Sequence, residues 1–467
     1  MTLQFLQSDQ SNEVTVPDPL CAQLYYSDIW LEDRGLLIVG DSEKELFQKV
    51  LSEDPSFRVI EEFSASLGIK HLMNHTPLVS SIHDSIWSCP PNSLLLFGSD
   101  GGGGSNVKCS QNSSIIFKSR FKEIYVDQQI FVSELINQYQ LKVRNKRVVH
   151  VFISAGFDSR LELALLIMTC ERNCAIILHS FFEDEESTSV VRNIAHSLSL
   201  TLIMHDMKEQ TQRGMEINQI VESISESSNW RPTIPAYAGV IAEYLGSGND
   251  SDNELFFGFT PYEFKGRYFE LYGKYQGKRL RFISNPESSP DIQTKQLEIQ
   301  SRLLETYIKC SPFKEEFRTI DFLNWSLSYT NSYSHRNRIL GRMGLINLTA
   351  RKEIAELFFN LPRPMKERNS LILEVINYLM PTLSSIPFIS SSGDGQQTRT
   401  QALKVRTTDS QIYIGILNSL LSKRLSIMDS EVGLRMLDNS NWSESQKFSY
   451  LQVEYFKTES MRAMRGS

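Results

Sequence analysis

The six residues Ser154, Ala155, Gly156, Phe157, Asp158 and Ser159 combine properties that phosphate chemistry needs. Small side chains at 154 to 156 let the backbone approach phosphate oxygens, Ser154 and Ser159 add hydroxyl donors, and Asp158 is a carboxylate able to hold a magnesium ion against the same phosphates. The flanking residues give this loop its setting. Val148 to Ile153 is an apolar run of strand length, and a helix is expected to begin near Arg160 and continue through Leu161 to Met168. A loop between a strand and a helix faces the unpaired N–H groups of the helix's first turn, which attract anions. The same residue types also suit a ligand-free strand-to-helix turn, where Ser and Asp cap helices and Gly eases the bend.

Around the loop, strand-like runs alternate with helix-length amphipathic stretches from Arg147 onward. Cys174–Leu178 is a second strand, Ser187–Leu198 a helix with apolar residues at Val190, Val191, Ile194, Ala195 and Leu198, and Leu200–Met204 a third strand. This rhythm predicts a parallel α/β sheet. Past about residue 310 the pattern is mostly helical, with breaks at Pro362, Pro364, Pro381 and Pro387. Residues 1 to about 140 read differently. They contain strand-length runs at Leu36–Gly40 and Ser93–Phe97, a helical pattern from Glu43 to Leu51, and the glycines 101 to 104, which lack the flanking helix of a phosphate site.

At 467 residues the chain exceeds what one core usually serves, so two domains are expected, 1–140 and 141–467. A hydrophobic fraction of 41% places it among ordinary soluble proteins. The net charge of −7 argues against nucleic-acid binding, which needs a dense basic surface. No apolar run has the length of a membrane span and no secretory signal is evident, so a cytoplasmic location is expected. Six scattered cysteines do not form a disulfide framework; Cys170 and Cys174 share helical spacing but lack a second ligand pair for a metal.

The hexamer 154–159 is similar to the Ser-Gly-Gly-x-Asp-Ser signature of N-type ATP pyrophosphatases, with Ala155 for the first glycine. Other stretches resemble the asparagine synthetase branch of that family. Leu178 to Ser187 resembles the segment after the second strand, where the family places adenine-contacting backbone, here Leu178 and His179. Gly258 to Tyr268 looks like the second magnesium loop, which makes Glu263 the second metal ligand beside Asp158 and puts Tyr262 where an acid often stands. Arg342 to Pro362 resembles the C-terminal helical region, with Gly344 and Arg351 near the positions of a Glu and an Asp. Asp84 to Leu94 looks like the linker that follows a glutaminase-like domain. A working glutaminase uses an N-terminal cysteine, whereas Thr2 follows Met1 and the first cysteine is Cys21.

The resemblance implies an adenine-nucleotide α-hydrolase-like parallel sheet with a helical C-terminal part, preceded by a degenerate glutaminase-like (Ntn) α+β domain. It implies an ATP- and Mg2+-dependent ligase that joins a carboxylate to an amine through an acyl-adenylate, the amine not being released from glutamine by this chain. Asp158, Glu263 and the late basic residue Lys404 are the catalytic candidates. The expected substrates are amino acid, peptide or saccharide derivatives, with a precursor peptide or accessory protein as a further partner, as in β-lactam synthetases and lasso-peptide cyclases. The alternative is a non-catalytic, nucleotide-binding or regulatory homologue.

Overall fold

The computed structural model describes residues 3–7, 12–16, 25–27, 34, 36–41, 45–46, 48–50, 86–99, 113–182, 184–210, 212–214, 233–245, 254–258, 294, 302, 305–328, 341, 343–349, 351–366 and 370–389. The N-terminal part holds two antiparallel sheets. One has the order β1 (Gln4–Gln7), β4 (Leu36–Gly40), β3 (Tyr25–Ser27), β5 (Trp87–Ser88); the other runs β2 (Asn12–Thr15), β6 (Ser93–Ser99), β7 (Ser113–Ser119). The strands expected at Leu36–Gly40 and Ser93–Phe97 are thus present. The helix expected from Glu43 lies partly outside the described residues, and the glycines 101–104 lie wholly outside them.

Helix α1 (Gln128–Val143) follows, started by Asp127, whose Oδ1 accepts the Ile130 N–H at 2.9 Å. Phe131, Leu135, Tyr139 and Val143 recur every fourth residue and form its buried stripe. The helix crosses residue 140 and packs on α2 (Phe157–Thr169). Helix α2 is buried nearly all round, as its run Leu161, Leu163, Ala164, Leu165 and Leu166 requires. Tyr139 ties the two helices together by donating its hydroxyl to Glu162 Oε1 at 2.6 Å.

The central sheet is parallel throughout: β10 (Thr201–His205), β9 (Ala175–Phe181), β8 (Val148–Phe152), β11 (Glu254–Phe257), β12 (Leu345–Ile346). The chain therefore fold as an α/β protein around a five-stranded parallel sheet. The remaining helices are α3 (Glu185–Ser197), α4 (Thr233–Leu245), α5 (Glu316–Ser328), α6 (Lys352–Asn360), α7 (Arg363–Lys366), α8 (Ser370–Leu379) and α9 (Pro381–Ser385). The mainly helical character expected past residue 310 holds among the described residues, which end at 389. Pro364, however, sits inside α7 and Pro381 opens α9, because the first turn of a helix does not use the missing N–H.

Among the boundaries that differ from expectation, three have a clear local reason. Helix α2 starts at Phe157, three residues before Arg160, because Gly156 takes an extended N-cap conformation and Asp158 suits the first turn. Strand β9 runs on to Phe181 instead of stopping at Leu178, since the polar His179 finds partners on both neighbouring strands. Helix α3 starts at Glu185 rather than Ser187 because Asp184 caps it: Asp184 Oδ1 accepts the Ser187 N–H at 2.7 Å. Strands β11 and β12 carry no clear periodic signal and sequence reading did not single them out.

One cluster of buried apolar side chains extends from Leu6 to Ile386, so both parts of the chain contribute to it. Polar latches accompany it: Asn360 accepts the Ile124 N–H at 3.0 Å and donates to Lys122 O at 2.8 Å, and Tyr307 donates to Cys89 O at 3.3 Å. In the helical part, the buried Lys366 Nζ lies 2.6 Å from Asp321 Oδ2. Among the described residues no helix is long and apolar enough to cross a membrane.

Candidate functional site

In chain order within the sheet, the strands lie third, second, first, fourth, fifth. The chain moves outward from β8 to β9 and β10, then returns to the other side of β8. The carboxyl ends of β8 and β11 thus flank the point where the winding direction reverses, which is where open α/β sheets leave a crevice for ligands. The loop 154–159 leaves β8 at this point. Gly258, at the end of β11, donates its N–H to Ile346 O at 3.3 Å, and a methyl group there would press on Phe152 Cβ at 3.3 Å.

The loop is closed by its own serines. Ser154 N–H donates to Ser159 Oγ at 3.0 Å, Gly156 N–H donates to Ser154 Oγ at 3.3 Å, and the two hydroxyl oxygens stand 3.0 Å apart. Ser154 Oγ is exposed, and Gly156 to Ser159 are half-buried at the start of α2. A methyl group on Gly156 would have Ser154 Oγ at 3.5 Å, ordinary van der Waals contact, and its φ of −85° suits any residue. The fold itself therefore does not require glycine there, whereas a ligand approaching the backbone would.

A second wall comes from far along the chain. Ala155 O accepts the Ile389 N–H at 3.1 Å and an Arg160 guanidinium N–H at 3.2 Å. The same guanidinium donates to Leu383 O at 3.3 Å, to Ile386 O at 2.6 Å and to Pro387 O. It lies 3.9 Å from the centre of the Phe388 ring, which stacks on Phe157 at 4.4 Å and 11°. Arg160 is fully buried, and burial lowers its pKa to about 10. It still carries its charge at neutral pH.

The face of the sheet that meets α4 holds three buried histidines in a hydrogen-bonded ladder. His150 Nδ1 and His179 Nε2 are 2.8 Å apart, as are His179 Nδ1 and His205 Nε2. His150 Nε2 faces Glu254 Oε2 on β11 at 3.5 Å, and Phe256 stacks on the His150 ring at 4.3 Å. Tyr244 from α4 packs its ring 5.0 Å from His150 and 4.9 Å from His179. At the other end His205 feels Glu243, Glu209 and Arg213. Burial lowers the pKa of His150 to about 4 and, with the two neighbouring histidines adding to it, that of His179 to about 2; burial also lowers His205. The ladder is neutral at pH 7.

The structure brings Ser154, Ala155, Gly156, Phe157, Asp158 and Ser159 together as one loop. Leu178 and His179 instead lie within β9, fully buried and paired with both β8 and β10, and both His179 ring nitrogens are engaged. The carboxyl edge of that strand is at Phe181. Glu263, Tyr262 and Lys404 lie outside the described residues. Gly344 occupies a turn with φ 97° before β12, and Arg351 is the N-cap residue of α6, donating to Gln138 Oε1 at 2.9 Å. Cys170 and Cys174 are free thiols, and no group of three or more His, Cys, Asp or Glu side chains fit for a metal occurs among the described residues. Sequence reading treated Arg160 only as a helix start and overlooked the ladder. Their signals were there: a charge on the buried side of an apolar helix, and histidines inside apolar strand runs.

The sequence matches no family model and no curated protein. Solved structures similar to part of the chain include an NH3-dependent NAD synthetase from Campylobacter jejuni subsp. jejuni NCTC 11168, with 13% identity over 40% of this chain and 99% of that one at a TM-score of 0.22. An NMN synthetase from Francisella tularensis shares 13% identity over 45% of this chain and 96% of that one, TM-score 0.23. The U34-tRNA thiolase NcsA from Methanococcus maripaludis shares 12% over 57% and 84%, TM-score 0.21. Likenesses this slight assign neither an activity nor a ligand.

Proposed function

We propose that the chain is an ATP-dependent ligase that activates a carboxylate as an acyl-adenylate, releasing pyrophosphate, and transfers the acyl group to an amine, releasing AMP. The observation that carries this reading is the placement of the 154–159 loop: it joins the first strand of the sheet to the N-terminus of α2 at the reversal point of the winding. The first turn of α2 and the Ser154 hydroxyl beside it offer the donor chemistry that phosphate oxygens need. Asp158, half-buried in the same turn, is of the right chemistry for Mg2+, with Glu263 as its expected companion. Bound there, the metal supplies charge neutralisation for the leaving pyrophosphate. The amine is free ammonia or an amino group of the substrate, which is an amino acid, peptide or saccharide derivative. Lys404 is assigned to the second step; the adenine side falls to the carboxyl edge of β9 at Phe181, because Leu178 and His179 are buried within the strand. Residues 1–140 are read as the degenerate glutaminase-like domain, a reading that the two antiparallel sheets support.

ATP–pyrophosphate exchange with Mg2+ and pools of amino acids, carboxylates and peptides tests this reading. Exchange that disappears in Asp158→Ala upholds adenylation. A folded protein that binds ATP but exchanges with no pool favours the second reading, a nucleotide-binding homologue without catalysis. That second reading draws on Arg351, which stands near the position of a family acid and is committed to Gln138.

A further inference from the structure

Among the described residues, Arg160 is a buried cation held only by dipoles. Its four hydrogen-bond acceptors are the carbonyl oxygens of Ala155, Leu383, Ile386 and Pro387, and a ring face covers it at Phe388. None of these partners carries a negative charge. A desolvated charge solvated by neutral groups alone is costly, and an anion nearby offsets that cost. One of the four acceptors, Ala155, belongs to the loop itself. The start of α2 adds positive potential on the same side. Asp158, two residues ahead of Arg160, is the loop's own acid and on the proposed reading is committed to the metal.

We infer that Arg160 is a positioning residue of the phosphate loop: its buried charge attracts a polyphosphate from beneath the loop without touching it, while its fork holds Ala155 against residues 386–389. The inference rests on the reading of 154–159 as a nucleotide loop. A unit charge roughly 8 Å from a phosphate, at an effective dielectric of about 20, changes affinity by about thirtyfold. The effect scales with the charge of the ligand, so adenosine is insensitive to it.

The test measures binding of MgATP and of adenosine to the full-length chain by calorimetry, together with its melting temperature, for wild type, Arg160→Met and Arg160→Lys. The Met variant is expected to lose about thirtyfold in MgATP affinity and to hold adenosine within twofold, whereas Lys, which keeps the charge but not the fork, stays within about threefold for MgATP. A folded Met variant that binds MgATP like wild type overturns the inference and leaves the nucleotide reading intact. Wild type that binds neither ligand overturns the reading and the inference with it. Should the Met variant not fold, Arg160→Gln takes its place with the same expectations. If neither neutral variant folds, the Lys variant decides: MgATP affinity within threefold upholds the role of the charge, and a loss of tenfold or more refutes it.

Discussion

Acidification from pH 7.5 to pH 5 is expected to destabilise the fold through the histidine ladder. An unfolded histidine titrates near 6.5. In the fold, His150 is lowered to about 4 and His179 to about 2. Between these values the unfolded chain binds protons that the native ladder refuses, so stability is fully present above pH 6.5 and is lost as pH falls. At pH 5 the loss is about 2 kcal/mol per buried histidine, hence about 4 kcal/mol for His150 and His179, with His205 acting in the same direction. Asp321, raised by burial to about 6, works the other way over the same interval by about 1 kcal/mol and leaves a net loss. Urea unfolding at pH 7.5, 6.5, 5.5 and 5 measures it. His179→Gln, whose amide both donates and accepts but does not titrate, should recover about 2 kcal/mol of the pH-dependent loss. Stability that is flat between pH 7 and 5, or a His179→Gln variant with an unaltered pH slope, would refute the reasoning.

Gly156→Ala should leave the melting temperature nearly unchanged, because a less favourable helix cap and a less flexible unfolded chain each amount to about 0.5–1 kcal/mol in opposite directions. Its ATP affinity should nevertheless fall by about tenfold or more; an unchanged affinity would show that no ligand approaches that backbone. Asp321→Ala strands the buried Lys366 and should cost about 3–5 kcal/mol in urea unfolding, whereas Asp321→Leu combined with Lys366→Met should cost much less.

Much of the sheet was legible because apolar strands and amphipathic helices alternate between Arg147 and Met204, and the loop was legible because small and polar residues interrupt that rhythm at 154–159. The placement of β11 and β12 was not. Glu254–Phe257 and Leu345–Ile346 are too short to show a period, and only their pairing with β8 and with each other makes them strands. His179 misled the reading of β9 because a polar residue in an apolar run looks like a strand end, and its partners His150 and His205 come from other strands. Arg160 was opaque for the same reason: three of its four acceptors lie beyond residue 380.

The contact between Ala155 and Ile389 also sets an order of events during synthesis. At about 5–20 residues per second, a ribosome needs on the order of ten to fifty seconds after the loop is made before residues 386–389 follow. Through that interval the residues of the strand, the serines and the start of α2 have been made, while Arg160 lacks the carbonyls of Leu383, Ile386 and Pro387. The final shape of the loop is therefore acquired late, and nascent or truncated chains ending before Ile386 carry the full motif without the wall that holds it.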